Sequence, residues 1–366
     1  MNSKLYWKGS PRAISFDSES MREKLMNLDQ ACFVLKDFRG RLGVANGGEF
    51  STEGPGLEVE AMVAPMTASQ LGDPSFREDY QLKYAYKTGA MANGIASEAL
   101  VTAIGKAGFL GSFGAAGLVP DRVKKAINEI QTNLPNQSYA FNLINSPTEE
   151  ALEAGAVQLF LDYGVRVVEA SAYLALSEHI VHYRAAGLSQ DSEGNILIKN
   201  KVIAKISRTE VATHFLQPAP KSMLDSLVAK GKITPAQAQL ATKVAMADDI
   251  TVEADSGGHT DNRPLVALLP VIIRLRDELQ EKFQYAKKIR VGAAGGISTP
   301  ESALAAFMMG AAFVVTGSVN QACVEAGTSE HVRKLLSQVS STDIMMAPAS
   351  DMFEMGVEAQ VLKRGT

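Results

Sequence analysis

Between Asp248 and Val319 the sequence alternates strand-like apolar runs with glycine turns three times, and few folds accommodate that pattern. Ile250-Thr251-Val252-Glu253-Ala254 leads into Asp255-Ser256-Gly257-Gly258-His259. Ile289-Arg290-Val291-Gly292-Ala293 leads into Ala294-Gly295-Gly296-Ile297-Ser298, and Ala312-Phe313-Val314-Val315 leads into Thr316-Gly317-Ser318. Pro264 to Phe283 reads as one helix between the first two units. Ser298-Thr299-Pro300-Glu301 opens another before the third, supplying an N-cap, a proline and an acid. Glycine lets the backbone pass close to a ligand and take positive φ, so each turn can aim bare N–H groups at an anion. Adjacent turns of this kind after the last strands are what an eight-stranded barrel around a phosphate-bearing ligand requires. The glycines match neither a dinucleotide fingerprint, since no Gly-x-Gly-x-x-Gly opens a helix, nor a P-loop.

The rest of the chain supplies five earlier strand-and-helix units. Ala61-Met62-Val63-Ala64 reads as the first barrel strand, running into Pro65-Met66-Thr67. Phe109 to Phe113, Tyr139 to Ile144, Val165 to Ala170 and Val202 to Ile206 follow. A helix opened by Pro120-Asp121 carries Val123, Ile127 and Ile130 on one face, and Ser146-Pro147-Thr148-Glu149 starts another. The expected architecture is an α/β protein, a (β/α)8 TIM barrel spanning residues 57–217 and 248–325. Residues 1–56 form an N-terminal β-rich extension, with a hairpin of Cys32–Phe38 and Leu42–Ala45 around Arg39-Gly40-Arg41. Residues 218–247, opened by Pro218-Ala219-Pro220, form a small helical insertion of two helices, expected as a lid among the βα loops. Residues 326–366 form a C-terminal segment, helical after Glu330 and irregular around Met346-Ala347-Pro348.

With 46% apolar and 21% charged residues in 366, the chain can build a large core. A formal charge of −4 and the lack of a basic cluster argue against nucleic acid as a partner. Cys32 and Cys323 stand in no redox or metal motif, so no metal is expected and a reducing cytoplasm suits the chain. Met1-Asn2-Ser3-Lys4 opens no apolar signal segment. Ser302 to Val324 is uncharged and long enough to span a bilayer, but its pattern changes from helix to strand midway, which predicts a buried helix–strand unit and no membrane association.

Gly295, Gly296, Gly317 and Ser318 are the candidate phosphate cradle. His259 directly follows Gly257-Gly258; it is either a donor or general acid beside a ligand, or a loop histidine bonded to backbone. Lys205, late in an apolar strand, either stabilises an anionic ring or phosphate or pairs with Glu169 or Glu253. Asn142 either bonds a heterocycle edge or is a satisfied buried amide. Asp255 and Asp261 are either acids of a site or turn and cap residues, the commoner role. His179, His182, His214 and His331 fall in helical patterns and read as surface or packing residues. The methionines of the tail (Met345, Met346, Met352, Met355) read as packing.

With these residues in place the chain resembles a known family. Val252 to His259, Ala293-Ala294-Gly295-Gly296-Ile297 and Thr316-Gly317-Ser318 are similar to the flavin-binding signature of nitronate monooxygenases and FMN-dependent enoyl reductases. Gly89 to Ser97, Gly111 to Gly117, Glu169-Ala170-Ser171-Ala172, Gly258 to Pro264, Met346-Ala347-Pro348 and Met352 to Gly356 are closer to the PfaD-type trans-acting enoyl reductase of polyunsaturated fatty acid and trans-acyltransferase polyketide synthases. The resemblance covers nearly the whole chain. It implies FMN as cofactor and NADPH as hydride donor. It also implies reduction of 2-enoyl thioesters on an acyl carrier protein, in trans with other synthase subunits, and admits a homodimer. By matching positions, Gly295, Gly296, Gly317 and Ser318 would hold the FMN phosphate. Pro65, Met66, Thr67, Asn142, Lys205, Gly257 and Gly258 would line the ring and ribityl chain, and His259 would be the catalytic residue near flavin and substrate. Members of that family continue with further helices past the equivalent of Lys363-Arg364-Gly365-Thr366. The alternatives are a nitronate monooxygenase-type oxygenase on the same fold and a flavin-binding subunit that serves mainly in docking.

Overall fold

The computed structural model describes residues 4–147, 149–349 and 356–363. The chain forms two compact units, Met1–Leu71 and Gly72–Thr366.

The first unit is built on a six-stranded antiparallel sheet. Trp7, Phe33, Leu35 and Ala45 form its core, and the Trp7 indole donates to Gly47 O at 2.9 Å. The expected hairpin is present, Cys32–Lys36 against Leu42–Asn46. Leu57–Val63 also belongs to this sheet, pairing antiparallel with Cys32–Lys36. The run Ala61–Ala64 is therefore not a barrel strand, and the N-terminal unit extends past Gly56. A short apolar run carries no mark of which sheet it joins.

The second unit holds a closed parallel barrel of eight strands. The first is Tyr86–Thr88, followed by Leu110–Phe113, Tyr139–Ile144, Val167–Ser171, Lys201–Ile206, Asp249–Glu253, Arg290–Ala294 and Val314–Thr316. Seven of the eight expected strands are in place and only the first is displaced. Alternate residues of each strand face the helices. Val168, Ala170, Val202, Ala204, Ile250, Val252, Val291 and Ala293 join Val123, Ile127 and Ile130 in one core. The Ser302–Val324 stretch resolves into helix Pro300–Met308 and the eighth strand. In that helix Leu304 and Met308 are exposed, and Ala306 is the buried residue. Among the described residues no helix is long and apolar enough to cross a membrane.

Charge closes the foot of the barrel. Arg290 makes a bidentate pair with buried Asp249, at 2.6 and 3.1 Å, and reaches Asp79 at 2.7 Å. Tyr80, from the helix Pro74–Tyr80, donates to Asp249 at 2.5 Å. Burial opposes ionisation of Asp79, yet Lys201 and Arg290 hold its carboxyl down at about 2.

The insertion consists of helices Lys221–Ala229 and Pro235–Ala241. It leaves after the helix Thr209–Leu216 and rejoins before the sixth strand, where Ala247 N bonds Phe215 O and Asp248 N bonds Val202 O. This is an αβ connection at the barrel foot, not a βα loop at the mouth. The hairpin packs sideways on the helix Glu178–Ala186: Gln237 donates to Ala186 O, and Lys230 pairs with Glu178. A lid over the mouth is thereby corrected to a lateral prop.

The tail is more ordered than its sequence suggests. After the helix Glu330–Leu336, strand Ile344–Pro348 pairs with Glu358–Leu362, which in turn pairs with Gly258–His259. Thr148 and the stretch Met352–Met355 lie outside the described residues.

Candidate active site

The three glycine turns leave strands six, seven and eight at the carboxyl end of the barrel and pack against one another. A Cβ built on Gly257 would lie 2.5 Å from Ser318 Oγ. One on Gly295, at φ +88°, would lie 2.6 Å from the carbonyl of Ala254. Only glycine fits there. On the other side of the cluster, a Cβ on Gly258, Gly296 or Gly317 would meet no atom within 4 Å. The backbone N–H groups of Gly296, Gly317 and Ser318 donate to no acceptor among the described residues. Ser318 opens a 3-10 turn, Ser318–Ala322. Below the Gly317 turn, buried Asn320 holds it by donating to Thr316 O and Thr316 Oγ1, both at 3.0 Å. Open space beside these turns, and N–H groups without a protein acceptor, are compatible with an anion such as a phosphate.

Below the turns the barrel interior carries polar and charged side chains among apolar ones. Lys205 pairs with Glu253 at 3.0 Å, both partly exposed at the mouth, which makes real one of the two pairings foreseen for that lysine. Asn142 is buried and donates to Ser171 Oγ at 3.1 Å and to Glu169 O at 3.4 Å. Its amide nitrogen is thus engaged by protein, on the same interior face as Lys205. Lys87 and Glu169, both buried, pair across the interior from the first strand to the fourth. The Ser112 and Thr251 hydroxyls are buried without a protein partner. They leave donors and acceptors in the interior for water or a ligand.

His259 is exposed and lies in the short strand paired to the tail, opposite Ala359. Two contacts steady its loop. Gln360 reaches both oxygens of Asp255 at 3.3 Å. Asp261 takes a fork from Arg208, at 3.0 and 2.8 Å, and a bond from Ser207. The Arg208 bonds hold the Asp261 carboxyl down at about 2, so it is a permanent anion and a tie between the loops after strands five and six. Asp255 and Asp261 thus both tie this loop to neighbouring segments. His182 is buried in its helix, and burial pushes its imidazole pKa down.

Pro65, Met66 and Thr67 are expected here because they follow the run read as the first barrel strand. They instead follow the strand Leu57–Val63 in the N-terminal unit, where all three are exposed. The residues that leave the true first strand are Gly89, Ala90 and Met91. Sequence reasoning singled out Gly89 to Ser97 for its resemblance but did not place it after a barrel strand, and it missed Lys87. The signal available was an aromatic strand-like run, Tyr84-Ala85-Tyr86, ending in Lys-Thr-Gly.

A parallel eight-stranded barrel with glycine turns at its carboxyl end is the architecture of the barrel enzymes, whose active sites lie at that end. Residues 81–365 match the nitronate monooxygenase family, and residues 7–65 match the fatty acid synthase subunit PfaD N-terminal domain. The chain belongs to the nitronate monooxygenase family, with a PfaD N-terminal domain ahead of the barrel. It is 49% identical over 361 residues to a polyunsaturated fatty acid synthase subunit of Thraustochytrium sp., covering 97% of this chain and 23% of that protein. It is 49% identical over 309 residues to polyketide biosynthesis protein PksE of Bacillus subtilis, covering 84% of this chain and 40% of that one. Among solved structures, the enoyl reductase domain of MlnA, from the macrolactin biosynthesis cluster of Bacillus amyloliquefaciens, superposes with a TM-score of 0.79 at 45% identity. That match covers 82% of this chain and 68% of the other. The chain spans between 17% and 40% of the length of the curated relatives it matches.

Proposed function

We propose that the protein is an FMN-dependent enoyl reductase that takes its electrons from NAD(P)H, with NADPH the expected donor. It would act on 2-enoyl thioesters carried by an acyl carrier protein, in trans within a polyunsaturated fatty acid or polyketide synthase. The observation that carries this reading is the 45% identity and common fold with an enoyl reductase domain over 82% of the chain. The glycine cluster supports the cofactor. When bound, FMN would supply hydride transfer from the nicotinamide to the β-carbon of the enoyl thioester.

The chain's own residues bind and orient. The N–H groups of Gly296, Gly317 and Ser318 take the phosphate, with Gly295 giving the backbone its close turn. Gly257 and Gly258 border the cradle. Asn142 and Lys205 present an amide and an ammonium from the barrel interior toward the ring and ribityl chain. His259 is the proposed catalytic residue, holding a hydrogen bond or a proton for the α-carbon side of the substrate. The tail strand Glu358–Leu362 positions its backbone.

The test separates two half-reactions. Anaerobic NADPH should bleach the flavin spectrum of the purified protein, and a 2-enoyl carrier thioester should restore it. Bleaching that no enoyl thioester reverses overturns the proposal. The second reading, a nitronate-type oxygenase, has the family match over residues 81–365 in its favour. Oxygen uptake with an alkyl nitronate, without NADPH oxidation, would establish that reading instead.

A further inference from the structure

We propose that Glu169 is a positioning residue whose carboxylate clamps the Gly89-Ala90-Met91 turn beside the phosphate cradle, with Lys87 as the cation that keeps it there. The pair is buried in the barrel interior, deeper than the partly exposed Lys205–Glu253 pair at the mouth. Lys87 is fully buried and Glu169 is 2% exposed. Two charges in a barrel interior cost more than an apolar pair of the same volume, so packing alone does not account for them.

The arrangement of atoms does. Lys87 Nζ meets Glu169 Oε2. The other carboxylate oxygen, Oε1, accepts the N–H of Ala90 at 3.2 Å. On the same turn, Gly89 N–H donates to Thr316 O at 2.9 Å, the residue before the Gly317 cradle. A Cβ on Gly114 would lie 1.7 Å from Met91 O, so the turn is also walled from the second strand. The backbone carbonyl of Glu169 receives the Asn142 amide at 3.4 Å. One glutamate thus joins the exit of strand one to the middle of strands three and four, and the strand-one exit is tied directly to the Gly317 turn. Burial drives the Lys87 pKa down, and the neighbouring Lys205 charge acts in the same direction. Glu253 and Asp249 act the other way without cancelling the shift, and the Glu169 carboxylate is the group that Lys87 touches.

Two double variants separate clamping from packing. K87M/E169M removes both charges and leaves the Ala90 N–H without an acceptor. K87M/E169Q also removes both charges but keeps an amide oxygen for it. Both should fold, with Tm values within about 5 °C of each other. Amide exchange at Ala90 in the full chain should stay slow in K87M/E169Q and rise at least roughly tenfold in K87M/E169M, the weight of one lost hydrogen bond. If K87M/E169M does not fold, K87L/E169L makes the same comparison. Equal Ala90 exchange in the two double variants overturns the proposal. The flavin consequence rests on the function proposed above. FMN affinity, titrated by flavin fluorescence, should fall about tenfold in K87M/E169M relative to K87M/E169Q. A parent chain that binds no FMN overturns the flavin reading, while the exchange comparison still decides the clamp.

Discussion

Gly295 and Gly317 are the same residue in opposite surroundings, and the difference separates fold from ligand. A methyl at Gly295 collides with the Ala254 carbonyl at 2.6 Å and must sit at φ +88°. Gly295→Ala should cost roughly 1–3 kcal/mol in urea unfolding. A methyl at Gly317 meets nothing within 4 Å and projects into the space assigned to the phosphate. Gly317→Ala should stay within about 1 kcal/mol of the parent. Its FMN affinity should nevertheless fall about tenfold, equivalent to one N–H bond lost to the phosphate. A Gly317→Ala chain that binds FMN as tightly as the parent would remove this turn from the cradle. Both glycines were legible in the sequence because glycine marks what the backbone must do locally. Partners of charged residues were not. Lys205 could be assigned Glu169 or Glu253 equally well until barrel closure put Glu253 at 3.0 Å and gave Glu169 to Lys87.

At the scale of elements, periodicity located seven barrel strands and both insertion helices but not what those elements adjoin. The true first strand, Tyr86–Thr88, has three residues, and its central side chain is a buried lysine. An apolar pattern search passes over such a strand and stops at Ala61–Ala64, which is apolar but belongs to the N-terminal sheet. The C-terminal strands escaped for another reason: Glu358–Leu362, which joins them to the rest of the chain, pairs with the Gly258–His259 loop about a hundred residues earlier. The insertion shows where topology decides function. Its helices follow a helix and precede a strand, so they begin and end at the foot. Leu224 and Leu227 are buried against the outer core. Leu224→Ala should cost roughly 2–4 kcal/mol of stability through the cavity it leaves. The rate of flavin reduction and the KM for enoyl thioester should be unchanged. A raised KM with undiminished stability would restore the lid.

Across the whole molecule, the second unit carries two layers of charge with different work to do. The upper group has Lys205 and Glu253 at the mouth and the buried Lys87–Glu169 pair deeper in the interior. The foot layer (Arg290, Asp249, Asp79 and Lys201) plugs the end where barrel enzymes place stability and not chemistry. Arg290 serves two carboxylates and lies over the rings of Phe76 and Tyr80. Burial works against its charge, but Asp249 more than offsets that and raises its pKa. Arg290→Met would leave Asp249 buried with only the Tyr80 hydroxyl. The cost should be about 3–5 kcal/mol, because an unpaired interior charge is worse than no charge at all. Asp249→Asn in the same chain should recover part of that loss, since the remaining neutral side chain can still accept from Tyr80. Neither variant should alter FMN affinity in the folded protein, because the foot and the turns lie at opposite ends of the strands. Urea unfolding with flavin fluorescence on the same samples reads both quantities. If affinity falls in step with stability, the two layers form one coupled network, and the clamp assigned to Glu169 would extend through the barrel to its foot.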